Sequence, residues 1–308
     1  MRRRTGPSLA LAAIALGGCG GGDANRVSTT PAAHGPGVGR PPVVIGNEDF
    51  TEQRILGQLY TQALRAQGFR VRLRPDLPDA RAADRALSTG QIDGYPEYLG
   101  TILRTVAQRG RTPRGEPATY RAVRGFEAAR GLQALAPTPF ARADAIAVTA
   151  AYARAHALTA IPGLAGLGAF RLGADPNFDR RPSGLPALRR AYGLPRLRFQ
   201  AVSQGAQYAA LDAGRVQAAV VTTTDSRLRS ARYVVLADPK VAFGAQNVAP
   251  IFSRAALAAA GPAFTRTIDA VSARLTTRVV RRLNASVEVD KRDPADVAHR
   301  FLSSHRLA

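Results

Sequence analysis

The side chains best suited to acid–base or metal chemistry are four histidines, His34, His156, His299 and His305. His34 falls in a Gly- and Pro-rich stretch and the last two in a helical terminal segment, so none has a neighbour that makes it a general base or a metal ligand. The chain has no serine elbow, glycine-rich phosphate loop or metal-ligand spacing. Asp93 and Glu97 stand four apart, as paired carboxylates on a helix do, but Pro96 between them puts them at a strand end instead. These residues predict a protein that is not an enzyme and needs neither cofactor nor metal.

Cys19 is the single cysteine, which excludes disulfides and thiolate metal sites downstream. It ends the run Leu16-Gly17-Gly18-Cys19, behind Arg2, Arg3, Arg4 and an apolar stretch over 9–16 too short for the ~20 residues of a membrane span. The arrangement resembles a bacterial lipobox. It predicts a signal peptide over 1–19 and a lipid on the Cys19 thiol; the plainer reading is an apolar cysteine inside a signal peptide. Residues 20–42, rich in Gly and Pro, read as a flexible tether.

From residue 43 the apolar pattern alternates between strand and helix. Strands are expected at 43–45, 71–73 and 91–94, with helices at 50–67 (Thr51 as N-cap, Gly68 as stop), 80–88 and 99–109. A second set has strands at 145–148, 170–172, 198–202, 218–221 and 233–236, with helices at 150–156, 185–192 and 206–213. From 254 onward the pattern is helical: 254–260, 264–275, 277–284 and 294–304. Two strand–helix sets and a helical tail predict an α/β chain of two lobes, each a mainly parallel sheet flanked by helices. The first lobe is expected over 43–143, the second over 144–244, and 245–308 returns to the first.

Certain blocks carry a resemblance. Asn47-Glu48-Asp49-Phe50-Thr51-Glu52-Gln53 and Tyr95-Pro96-Glu97-Tyr98-Leu99-Gly100-Thr101 resemble blocks of the osmoprotectant-binding proteins, the substrate-binding subunits of glycine betaine, choline and carnitine ABC importers. Tyr208 to Gly214, Thr224-Asp225 and Asn247 to Pro250 continue the likeness. The resemblance implies a type II-like periplasmic-binding-protein fold crossed twice at a hinge, near 140–144 and 241–250, with the solute in the cleft. It implies partners too: a small-molecule solute and the importer's permease subunits. It also implies ligand contacts at Gln53, Tyr98 and Thr101. Where relatives complete an aromatic cage for a quaternary ammonium group, this chain has Asp144, Thr222 and Gln246. A carboxylate, a hydroxyl and an amide there predict weakened quaternary-ammonium binding and a more polar, cationic or zwitterionic solute. Asp144 has a second reading as the partner of Arg142 or another arginine, Thr222 and Gln246 as ordinary hinge residues, and Tyr120 and Tyr208 as packing groups or further walls.

The formal charge is +21, and Lys240 and Lys291 are the only lysines. Arginine spread along the whole chain reads as compositional bias at exposed positions, then as attraction to an anionic membrane surface. Without a basic tract interleaved with aromatics, nucleic acid is not an expected partner. The resulting expectation is a monomer, exported and lipid-anchored to the outer face of the cell membrane or periplasmic. A ligand-sensing receptor of the same fold, coupled to a signalling partner, is the alternative.

Overall fold

In the computed structural model the described residues are 30–110, 112–203 and 205–307, so Cys19 lies outside them. The first sheet holds β1 (Val43–Glu48), β2 (Val71–Leu77), β3 (Gly94–Tyr98), β4 (Leu132–Ala134) and β10 (Val248–Ser253). The second holds β5 (Asp144–Thr149), β6 (Phe170–Ala174), β7 (Leu197–Ala201), β8 (Ala218–Thr222) and β9 (Tyr233–Val235). The strand orders are β2-β1-β3-β10-β4 and β7-β6-β8-β5-β9. Each sheet pairs three strands in parallel, then one reversed strand, then an edge strand antiparallel to that one. Four of five strands in each sheet therefore run the same way.

The reversed strand has the same origin in both lobes. β5 begins just after the chain leaves the first sheet, and β10 just after it leaves the second. The two crossing segments pair with each other: Ala141 bridges Asn247 antiparallel, and the Arg142 amide donates to the Gln246 carbonyl at 2.9 Å. This ribbon is the double crossing of a two-lobed binding fold.

Helix α1 (Thr51–Ala66) buries Ile55, Leu56, Leu59, Tyr60, Ala63 and Leu64 along one face. Its N-cap is the extended Phe50, with Thr51 the first helical residue, so Thr51 does not cap it. Gly68, at φ +80, turns the chain out of it. The other helices are α2 (Ala80–Ser88), α3 (Leu99–Thr101), α4 (Glu116–Ala128), α5 (Ala150–Ala155), α6 (Leu185–Tyr192), α7 (Gln207–Asp212), α8 (Arg254–Ala260), α9 (Pro262–Ser272), α10 (Thr277–Glu288) and α11 (Pro294–Ser304). The C-terminal helices α9, α10 and α11 pack on α1 and share its apolar core, and Tyr60 bonds Ser272 at 2.9 Å.

Several expectations shift. The strand expected at 91–94 is β3, which runs from Gly94 through the Tyr-Pro-Glu-Tyr block. Helix α4 and strands β4 and β10 add to the pattern. Residues 32–40 do not hang free. Ala32 and Gly37 donate backbone hydrogen bonds to Arg65 and Gln67 at the end of α1, and Gly37 lies so close to Phe69 that a Cβ there would come within 2.3 Å of its backbone. That part of the expected tether is docked on the first lobe.

Candidate functional site

The crossing ribbon, the end of β8 and the turn after β3 converge on a partly open polar space of about 110 Å³. Arg142, Ala143 and Gln246 come from the ribbon, Arg104 from the first lobe, and Asp144, Arg181, Ser183 and Thr222 from the second. Phe243 is its one aromatic side chain.

Arg104 is placed by a change of helix pitch. After α3 the chain winds as a π-helix over Ile102–Val106, with the Ala107 amide reaching the Ile102 carbonyl at 2.8 Å. Such wide turns recur at functional sites because they aim side chains that an α-helix would direct elsewhere. Gly100, one turn earlier, has no side chain to block them: a Cβ there would sit 2.5 Å from Gln246 Oε1 and 2.8 Å from Arg104 Nη1. Gln246 Oε1 is buried with no hydrogen-bond partner.

Asp144 and Thr222 are direct partners across β5 and β8. The Asp144 carboxylate accepts from the Arg181 guanidinium in an ion pair. Burial pushes its carboxyl up, against the pull of Arg181, Arg142 and Arg104. Burial also pulls Arg104 down, helped by Arg181 and opposed by Asp144. For Arg142, burial acts in the same direction but is outweighed by Tyr98, Glu52, Asp144 and Glu48, which leave it more firmly protonated than usual. Its guanidinium lies 5.1 Å from the Phe50 ring centre.

The other expected contacts stand behind this space. Gln53 is fully buried, and its Nε2 donates to the Pro96 carbonyl at 3.0 Å. Tyr98 is buried too, its ring 6.3 Å from Phe50 and its hydroxyl donating to Glu52 Oε1 at 2.7 Å. Glu52 Oε2 accepts from Asn284 Nδ2 at 3.0 Å, and the same amide donates to the Thr224 carbonyl at 3.0 Å. Neither Gln53, Tyr98 nor Thr101 lines the polar space. Tyr120 donates to the Ala134 carbonyl at 3.2 Å and Tyr208 packs edge-on against Tyr233, so both serve packing. Asp144, Thr222 and Gln246 are the sequence-identified residues that the fold brings together. Asp144 takes its second reading, as an arginine's partner. The carboxylate expected to attract a cation is thus already neutralised, and that ground for a cationic solute fails.

Sequence reasoning missed Arg104, Arg181 and Gly100. With 43 lysines and arginines in the chain, no local signal separates these two arginines from the rest. The small residue in Tyr-Leu-Gly-Thr was the only available hint.

Two lobes, a paired double crossing and a polar space between them define a solute-binding protein. Comparison with known proteins identifies which kind. Residues 41–304 match the family described as the substrate binding domain of ABC-type glycine betaine transport systems, and the chain belongs to that family. It is 33% identical over 275 residues to a glycine-betaine-binding protein of Pseudomonas aeruginosa, covering 85% of this chain and 88% of that one. It is 27% identical over 284 residues to the glycine betaine-binding protein YehZ of Escherichia coli, covering 85% and 90%. The solved structure of apo YehZ superposes with a TM-score of 0.76 at 26% identity, over 87% of this chain and 99% of that one. The chain is accordingly the substrate-binding component of an ABC transport system, and not an enzyme.

Proposed function

We propose that this protein captures one small solute between its lobes and presents the closed form to the permease subunits of an importer, acting as a monomer outside the cytoplasm. The observation that carries the reading is the convergence of both lobes and both crossing segments on one polar space, through Arg104, Arg142, Gln246 and Thr222. A solute held there touches groups whose separation changes when the hinge bends, so it binds the closed form better and shifts the population towards it. The names of the relatives point to glycine betaine or a solute of similar size. Attachment to the membrane through a lipid on Cys19 completes the reading; Cys19→Ala should release the protein from membranes.

Native mass spectrometry of the protein purified without denaturation tests the capture step. One small solute per chain is expected, lost on Arg142→Gln. An empty protein whose radius of gyration also ignores glycine betaine and short carboxylates would overturn the reading.

A further inference from the structure

The lining of the cleft carries more positive charge than it neutralises. Arg104, Arg142 and Arg181 meet there with Asp144 as the one carboxylate, an excess of two positive charges. Asp144 is already taken by Arg181. Among the described residues no carboxylate comes within ion-pair distance of Arg104 or Arg142. Glu52, whose charge acts on Arg142, has its two oxygens committed to Tyr98 and Asn284. The cleft therefore holds two guanidiniums, each with a planar fork of N–H donors that matches an oxyanion, and neither fork is satisfied by an acid of the protein.

The groups that attract a quaternary ammonium are committed as well. The Phe50 ring already has the Arg142 guanidinium within cation–π range. Tyr98 is buried out of reach of the space. A trimethylammonium group placed there would meet three like charges against one carboxylate, Asp144, and a single ring, Phe243.

Resting on the interlobe site proposed above, we infer that the cleft selects a short dicarboxylate, and that Arg104 and Arg142 set this preference. Closure withdraws both guanidiniums further from water, which is costly for a charge with no direct ion pair. A single carboxylate satisfies one of the two, and a dianion satisfies both, so it favours the closed form most. The partly open space of about 110 Å³ is somewhat smaller than the ~150 Å³ cavity that takes a benzene-sized molecule, so the shortest diacids, malonate and succinate, are the fitting probes.

Calorimetry with malonate and succinate, against acetate, glycine betaine and choline, tests the inference, with scattering recorded on the same samples. One of the two diacids should bind at least tenfold more tightly than glycine betaine and shrink the radius of gyration. Arg104→Gln and Arg142→Gln should each weaken it tenfold or more. Arg104→Lys, which keeps the charge and loses the fork, should recover part of the loss, and this separates recognition from misfolding. Betaine or choline binding more tightly than both diacids, or diacid affinity indifferent to Arg104→Gln, overturns the inference. If betaine closes the lobes and the diacids do not, solute capture stands and only the anion preference falls. If no probe binds or closes the protein, both fall.

Discussion

Gly100 shows how one absent side chain shapes the site. A Cβ at that position would approach Gln246 Oε1 to 2.5 Å, Arg104 Nη1 to 2.8 Å and the Ala245 carbonyl to 2.9 Å. The first two are ends of side chains that can swing aside, but the third is backbone of the crossing segment. Gly100→Ala should therefore displace Arg104 and strain the hinge, weakening solute binding about tenfold or more and costing about 1–3 kcal/mol of stability. Calorimetry and urea unfolding check both; unchanged affinity would remove Gly100 from the argument. A second residue-scale expectation concerns Glu97, which is fully buried in β3 beside Glu48. Burial pushes the Glu97 carboxyl well above its ordinary value, and the neighbouring Glu48, itself raised by burial, adds to this. Below about pH 4.5 both folded and unfolded chains hold the proton and the stabilisation is complete. As pH rises, the unfolded chain loses the proton first, so stability falls until the native group titrates. Glu97→Gln should flatten that decline and match or exceed the parent's stability at pH 7, read from denaturant midpoints at pH 4.5, 5.5 and 7. At this scale the sequence exposed Asp144, Thr222 and Gln246 because they break a pattern. Arg104 and Arg181 break none, and what selects them is a π-turn for the first and an ion pair with Asp144 for the second, both supplied only by the fold.

At the scale of elements, legibility followed how a segment is buried. Helix α1 was readable because its apolar residues recur at helical spacing. Strand β10 was not, since Pro250 lies at its centre opposite Pro96 of β3, and proline argues against a central strand. Between these two strands the register asks no N–H of either proline, and on its other side the Pro250 carbonyl accepts from the Leu135 amide at 2.9 Å. The Leu99 amide donates to the Asn247 carbonyl and the Ser253 amide to Asp93, so hydrogen-bonded rungs fall on alternate pairs and the proline pair occupies a rung that needs no N–H from either. The element with the most mechanical consequence is α10, which packs with the C-terminal helices yet reaches the second lobe. Arg281 Nε donates to the Thr223 carbonyl at 2.6 Å, and Asn284 Nδ2 to Thr224 at 3.0 Å. Because the same amide also holds Glu52, Asn284→Ala leaves a buried carboxylate oxygen and a loop carbonyl unpaired at once. It should cost about 1–3 kcal/mol and enlarge the radius of gyration of the unliganded protein. Equal scattering curves for variant and parent would mean that α10 does not tie the lobes.

The whole molecule consists of two lobes, each with its own apolar clusters, joined by little else. One apolar cluster runs through α1, β10 and the C-terminal helices, and another through β5, β6 and α6, with no shared residue. Between them lie the crossing ribbon, the α10 contacts and a cleft lined with charge. Such lobes are coupled weakly when open, because no apolar cluster spans both, and strongly when a solute bridges Arg104 in one and Thr222 in the other. The unliganded protein should accordingly melt broadly or in two steps, and the saturated protein in a single sharper transition. A solute at one hundred times its Kd adds about 2.7 kcal/mol to the state it binds. For lobes of this size that corresponds to a rise in Tm of roughly 5–10 °C. Differential scanning calorimetry over a solute titration measures both features together. A Tm that climbs while two steps persist would place the ligand within one lobe, since only a molecule held by both can make them unfold as one.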